Sequence, residues 1–452
     1  MHVLITSDTV GGVWTYTQEL VSGLASRGHR VTLVSFGKLP SADQATWLRN
    51  LANVDYRPTE YRLEWMEVAE RDIEESRRYL EFLVREVQPD VLHFNQYCYG
   101  DIDVDVPRIV VAHSDVVSWW VAVHGSEPDD TPWMQRYRGH VTNGLRAADM
   151  VVAPSQWMLD AATQHYLAPK HGAVIYNGRS PELFDPERRK EDYVLSVGRI
   201  WDEGKHVSLL LEPQSVPSIS AETIHASRAK DMRAVYSSAA LHTAPSSAGA
   251  AQLSPEPALS LPKGRKPWVR TQNDLSPGGT TDNGPVLQRW EKRVDNSRSG
   301  ATNDIRIVGW TQEPGREKKA LPTCPPNVHL LGPKSQDELR HLYAEASIYA
   351  ATSRYEPFGL SPLEAALSRC ALVMNDIPVF HELWGDAATY FRKDDPADLS
   401  RTLTELNQSP ELRNRLANKA FLRACQKFTA SRMVAEYESA YHQVASRMEK
   451  VA

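Results

Sequence analysis

The sequence predicts a two-domain α/β protein, each domain a parallel sheet wound on both faces by helices. Three observations predict it. Short apolar runs alternate with helical stretches through the first half of the chain. The same alternation restarts near Tyr193 with YVLSVG. A length of 452 residues is too great for one ordinary core. Continuous apolar strands separated by helices are the pattern of a sheet covered on both faces. Composition fits a globular chain, with 41% hydrophobic and 24% charged residues. A formal net charge of −6 gives no electrostatic ground for nucleic acid or an anionic membrane as the main partner.

The first domain is expected at residues 1–187. Val3 to Ile5 starts it and leads into the loop TSDTVGGVW. Val13, Tyr16, Leu20 and Leu24 then recur at three- and four-residue spacing, which predicts a helix. Arg27-Gly28-His29 ends that helix, because glycine readily takes the left-handed conformation of a helix terminus. Val31 to Val34, Val91 to Phe94, Ile109 to Val111, Met150 to Ala153 and Val174 to Tyr176 read as further strands.

The second domain is expected at 188–430. Its strands are the run at Tyr193, then Ile305 to Val308, Val328 to Leu331, Ile348 to Ala350, Leu372 to Met374 and Ala388 to Phe391. Helices are expected at Ser335 to Ala346 and Ser361 to Leu367, and residues 431–452 supply an amphipathic terminal helix with no strand after it. From about 213 to 301 the rhythm breaks. Segments such as HTAPSSAGAAQLSPEPALSLPKG are rich in Ser, Ala, Pro and Gly, and the stretch reads as a disordered insertion.

MHVLITSD enters a strand with no basic and apolar leader, and no window approaches the roughly 20 apolar residues of a membrane span. Cys98, Cys324, Cys370 and Cys425 are far apart and lack Cys-x-x-Cys spacing, so reduced thiols and a cytoplasmic location are expected.

Four motifs carry chemistry. In RYEPFGLSPLEAA, seven residues separate Glu356 from Glu364. The segment reads as a strand end, a glycine loop and a helix beginning near Ser361 or Pro362, with serine as N-cap. Free backbone N–H groups and the helix dipole make such a start an anion site, fit for a diphosphate. Glu364, about a turn into the helix, is placed to reach ribose hydroxyls, and Glu356 to accept from sugar hydroxyls. LSVGRIWDEGKH puts Arg199 and Lys205 on the loop after the domain's first strand, at the strand ends where open parallel sheets bind ligands. Two cations there are suited to neutralise a departing diphosphate. TVGGVW places Gly11 and Gly12 between strand and helix, either for close backbone approach to a ligand or as a plain tight turn. It is not the G-x-G-x-x-G fingerprint, so a dinucleotide is poorly supported. VVAHSD puts His113 just past a strand. Asn177-Gly178 falls at the domain junction. Trp119 and Trp120 read as core or as a channel wall, and HFNQYCYG (93–100) as an acceptor-side loop.

Taken together, GGVW, VVAHSD, VVAPS, IYNG, VGRIWDEGK, NVHLLG and RYEPFGLSPLEAAL resemble the retaining glycosyltransferases of family 4, across nearly the whole chain except the insertion. The resemblance implies the GT-B architecture: two facing Rossmann-like doubly wound domains, a donor cleft between them and a C-terminal helix crossing back to the first domain. It implies transfer of a sugar from a nucleoside-diphosphate sugar to an acceptor hydroxyl with retained anomeric configuration, as in bacterial-type glycan or glycoconjugate synthesis. Glu364 would hold the donor ribose; Glu356 and the backbone of Phe358, Gly359 and Leu360 would hold sugar and phosphates. Arg199 and Lys205 would bind the diphosphate, His113 would touch the transferred sugar, and Gly12 would lie near phosphates or acceptor. No cofactor and no essential metal are implied, and Ile102-Asp103-Val104-Asp105 lies away from any donor site. The first loop lacks the lysine of the Lys-Thr-Gly-Gly-Leu motif, which disfavours glucan elongation. The alternatives are a sugar-nucleotide epimerase of the same architecture, or a member disabled by its insertion.

Overall fold

The computed structural model of the protein describes residues 1–9, 11–66, 68–212, 303–311 and 324–448; the insertion expected at 213–301 lies outside the described residues. Two sheets organise the rest, and every pairing in both is parallel.

The first sheet is built from β1 (His2–Asp8), β2 (Arg30–Phe36), β3 (Val54–Pro58), β4 (Val91–Phe94), β5 (Arg108–Val111), β6 (Met150–Ala153) and β7 (Gly172–Val174). Their spatial order is β3-β2-β1-β4-β5-β6-β7. Helices α1 (Gly12–Ser26), α2 (Glu70–Val87), α3 (Val116–His124), α4 (Pro132–Ala147) and α5 (Gln156–His165) accompany it. The second sheet, in order β10-β9-β8-β11-β12-β13, is built from β8 (Glu191–Val197), β9 (Asp304–Val308), β10 (Val328–Gly332), β11 (Ala346–Ala351), β12 (Ala371–Asn375) and β13 (Thr389–Phe391). With it run α6 (Gln336–Glu345), α7 (Leu360–Leu367), α8 (Pro378–Trp384), α9 (Pro396–Gln408), α10 (Pro410–Lys427) and α11 (Ala430–Met448). This is the doubly wound α/β architecture that the alternation predicted.

Burial explains why the strands read as continuous apolar runs. Residues of β1, β2, β4, β5 and β6 divide between two core clusters, one on each face of the sheet, and the second sheet does the same. Met433, Val434, Tyr437, Tyr441 and Val444 of α11 join Val3, Ile5 and Leu20 in one of the first sheet's cores, so the terminal helix does cross back.

In each sheet the strand order reverses direction once, between β1 and β4 and between β8 and β11. Ligands of open parallel sheets bind beyond the carboxyl ends of the strands at such a point. The residues just past β1, β4, β8 and β11 are therefore where chemistry belongs. They include Gly11, Asn95, Arg199 to Lys205, and Thr352 to Gly359.

Three expectations need correction. Helix α7 starts at Leu360, with Gly359 as its N-cap at φ 91°, and Ser361 is inside the first turn. The Pro357-Phe358-Gly359 turn closes the loop earlier than the serine and proline rules suggest, since Gly359 alone tolerates that φ. Residues 93–100 are buried throughout and do not form an open loop. Tyr97, Cys98 and Tyr99 make a 3₁₀ turn in the core, the backbone N–H groups of Tyr97 and Cys98 donating to the buried Glu64. The last strand of the first sheet is Gly172–Val174, two residues before the stretch expected.

Candidate active site

At the second sheet's switch point, the loop after β8 and the loop after β11 are stitched together. Gly204 O accepts from the backbone N–H of Arg354 (2.9 Å) and Tyr355 (3.2 Å), and Thr352 Oγ1 donates to Lys205 O (3.0 Å). Asp202, which sequence reading passed over, shapes the first loop. Its Oδ1 accepts from Gly204 N–H (2.9 Å) and its Oδ2 holds the Arg199 guanidinium (2.5 Å). Arg199 also lies 5.0 Å over the Trp201 ring, and 43% of its side chain remains exposed. Lys205 Nζ reaches Glu356 Oε2 at 2.5 Å, and Ser353 Oγ donates to the same oxygen at 3.3 Å.

The loop thus brings Lys205 and Glu356 into one ion pair beside the start of α7. That start carries no side-chain cap, so its first N–H groups face the cleft edge without a built-in acceptor. Phe358 is buried, its ring edge-on to Phe428 at 5.4 Å, which anchors the turn so that only its backbone borders the cleft. A small cavity here is lined by Ser196, Lys205, Thr352, Glu356, Ser361 and Pro362, among others.

The first sheet's edge faces this corner. Gly12 opens α1, and a Cβ placed on it would lie 3.5 Å from Leu360 Cδ1. Tyr355 Oη bonds Ser114 Oγ (2.9 Å) and accepts from Asp115 N–H (3.3 Å), while Ser155 Oγ donates to Pro357 O (2.6 Å). Trp119 stands against the Lys205 loop: a Cβ on Gly204 would fall 2.4 Å from Trp119 Nε1.

His113 belongs to a polar network with no ion in it. Its Nε2 lies 2.8 Å from Asn95 Oδ1, and His93 Nε2 lies 3.1 Å from the same atom. Asn95 Nδ2 donates to Thr6 O (2.6 Å), which turns its oxygen toward both imidazoles. The network therefore assigns a proton to each Nε2. His93 Nδ1 then accepts from Tyr441 Oη (2.8 Å) and His113 Nδ1 is left as an acceptor. Burial pushes His93 down to about 4. Burial first, then the neighbouring His93, lowers His113 to about 3. Both rings are neutral at any physiological pH.

Glu364 sits apart from this corner. Its carboxylate is buried, and Oε1 meets Arg179 Nε at 3.0 Å. Arg179, only 1% exposed, also donates from Nη1 to Glu19 Oε1 at 2.7 Å. Burial raises the Glu364 carboxyl above its ordinary value, and the Arg179 charge opposes that rise. Neither Arg179 nor Glu19 stood out in the sequence; Arg179 was visible only as the residue after Asn177-Gly178. Among the described residues no group of three His, Cys, Asp or Glu is placed to hold a metal ion, and no helix is long and apolar enough to cross a membrane.

Comparison with known proteins agrees with this geometry. The model for Glycosyltransferase Family 4 matches residues 10–183, and that for Glycosyl transferases group 1 matches residues 301–423. The chain is 34% identical over 91 residues to the O-antigen chain mannosyltransferase RfbU of Salmonella typhimurium. That stretch is 20% of this chain and 26% of the relative. It is 31% identical over 112 residues to the serotype-specific mannosyltransferase WbdA of Escherichia coli, 24% of this chain and 14% of the relative. The chain thus spans about a quarter or less of the length of these curated relatives. In fold it is similar to sucrose-phosphate synthase from Thermosynechococcus elongatus, with TM-score 0.65 and 12% identity over 99% of this chain and 100% of that one. It is also similar to Anabaena HepE in complex with UDP-glucose, with TM-score 0.61 and 13% identity over all of both chains. With both family models matched and the same two-sheet architecture, the chain belongs to glycosyltransferase family 4 and has the GT-B fold.

Proposed function

We propose that this protein transfers a sugar from a nucleoside-diphosphate donor to an acceptor hydroxyl with retention, in glycoconjugate synthesis of the O-antigen or lipopolysaccharide type. The observation that carries the reading is the corner where Lys205, Glu356 and the uncapped start of α7 meet at the second sheet's switch point. An uncapped helix start with a lysine beside it suits a diphosphate. The donor's phosphates draw Lys205 from Glu356, and the freed carboxylate accepts from sugar hydroxyls. Arg199, half exposed on the same loop, adds positive charge at the cleft edge.

In the step itself, the bond between the anomeric carbon and the diphosphate oxygen breaks. The acceptor oxygen bonds to the same face, and its proton passes to the departing phosphate. Among the described residues at this corner we assign none as a covalent nucleophile, so leaving-group stabilisation and acceptor orientation supply the rate in this reading. Neutral His113, with Nδ1 as acceptor, is suited to a sugar hydroxyl. Glu364 is assigned to the donor ribose and Gly12 to the approach of phosphates or acceptor. No cofactor or essential metal is part of this reading. The reaction is assigned to the cytoplasm, a reducing compartment that suits four widely spaced cysteines without Cys-x-x-Cys spacing.

The test is a thermal-shift panel with UDP, GDP and ADP and their common sugar conjugates on the full chain. A ligand at a hundredfold over its Kd stabilises by about 2.7 kcal/mol. A shift with one nucleotide, lost in Lys205→Ala, is expected. A folded chain that responds to none of them contradicts the proposal.

A further inference from the structure

Among the described residues Arg179 is the largest fully buried charged side chain, and nothing in the transfer chemistry above uses it. It lies on the connection between the two sheets, directly after Asn177-Gly178. That connection is tied down at Arg179, whose N–H donates to Phe428 O and whose O accepts from Ala430 N–H, each at 3.0 Å. Gly178 is packed so tightly that a Cβ would fall 2.2 Å from Thr429 O. The guanidinium then lies between two carboxylates, one from a helix of each sheet. Nη1 donates to Glu19 of α1, while Glu364 of α7 is held by charge, its Oε1 3.0 Å from Nε. Glu19 is itself held, Oε2 accepting from Ser180 Oγ at 2.7 Å.

We propose that Arg179 is a positioning residue for donor recognition: anchored through Glu19, it fixes the Glu364 carboxylate where it selects the two hydroxyls of the donor ribose. The inference rests on the donor-site reading above. A carboxylate has about four lone-pair sites, and the ion pair with Arg179 engages Glu364 by charge at one oxygen, which leaves acceptor capacity for vicinal hydroxyls. A buried carboxylate without a charged partner would take up a proton and lose part of that capacity. Arginine suits the place because its planar fork serves two acceptors from one rigid group, which a lysine ammonium on a flexible stem does not.

A residue that merely held the fold together would change melting temperature and active fraction without changing which sugar ring the nucleotide must carry. The test therefore reads selectivity. Calorimetric titration of the full chain compares UDP with 2′-deoxy-UDP, or the corresponding GDP pair, in wild type, Glu364→Ala, Arg179→Met and Arg179→Lys. The wild type is expected to prefer the ribonucleotide by about tenfold, on the order of one hydrogen bond to a charged group. That preference should fall to within about twofold in Glu364→Ala and Arg179→Met, and to an intermediate value in Arg179→Lys. Should the methionine variant fail to fold, the lysine variant decides alone. A ribose preference unchanged in the folded Arg179 variants, or tighter binding in them, overturns the inference while leaving the donor site standing. A wild type that binds neither nucleotide overturns both.

Discussion

The two edges of the cleft are equipped differently. The second sheet offers ions: Lys205 paired with Glu356, Arg199 paired with Asp202, and an uncapped helix start. The first sheet offers a neutral array, in which His93, Asn95, His113, Tyr16 and Tyr441 exchange hydrogen bonds or ring contacts without any charge. Ion pairs at a partly open edge are exchangeable, because an incoming anion replaces one partner at modest cost. A buried neutral network is fixed, since breaking it strands a polar group away from water. The difference teaches a division of labour. The charged edge suits the part of a substrate whose charge changes during transfer, and the neutral edge suits hydroxyls that must be held in one orientation.

Four experiments probe the contrast between the two edges. The largest effect is expected from Lys205→Ala, which removes a cation from the leaving group. kcat/KM should fall by about 10²- to 10³-fold, and the melting temperature should fall as well, because the buried Glu356 carboxylate loses its charged partner. Next is the connection between the edges. Gly178→Ala forces a Cβ against Thr429 O, so denaturant unfolding should register a loss of about 1–3 kcal/mol. On the neutral edge, Asn95→Ala frees both imidazoles to change tautomer. Turnover should drop by about tenfold while affinity for the nucleoside diphosphate stays within twofold, a split that steady-state kinetics beside titration detects. An equal loss of nucleotide affinity would erase the distinction between the edges.

The remaining effect is in pH. His93 is held at about 4, below its unfolded value of 6.5. The unfolded chain therefore binds more protons between those values. Stability is complete above pH 6.5 and is lost as pH falls toward 4, by up to about 1.4 kcal/mol per pH unit for this group. His93→Gln should flatten the slope of melting temperature between pH 6.5 and 5.

The sequence was most readable where apolar runs are buried on both faces. Val91–Phe94 and Met150–Ala153 fall on their expected bounds. It was least readable where burial is partial. Strand β3 mixes Asp55 and Arg57 with half-buried neighbours and ends in proline, so no run marks it. The charged corner was legible because its residues lie in two short motifs, each on a loop beside its own strand. Asn95, Glu19 and Arg179 were not, because their partners come from distant segments: Glu19 and Arg179 are 160 residues apart. A single sequence shows such residues as isolated polar positions in otherwise ordinary elements. Only the folded chain shows that one guanidinium sits between two buried carboxylates.

The most direct test is a crystal structure of the full chain with the nucleoside diphosphate that stabilises it. The account predicts that the phosphates lie against the backbone N–H groups at Leu360 and Ser361, that Lys205 Nζ has left Glu356 for a phosphate oxygen, and that the His93–Asn95–His113 bonds are unchanged. A diphosphate bound on the first sheet's edge, or one bound with the Lys205–Glu356 pair intact, would contradict it.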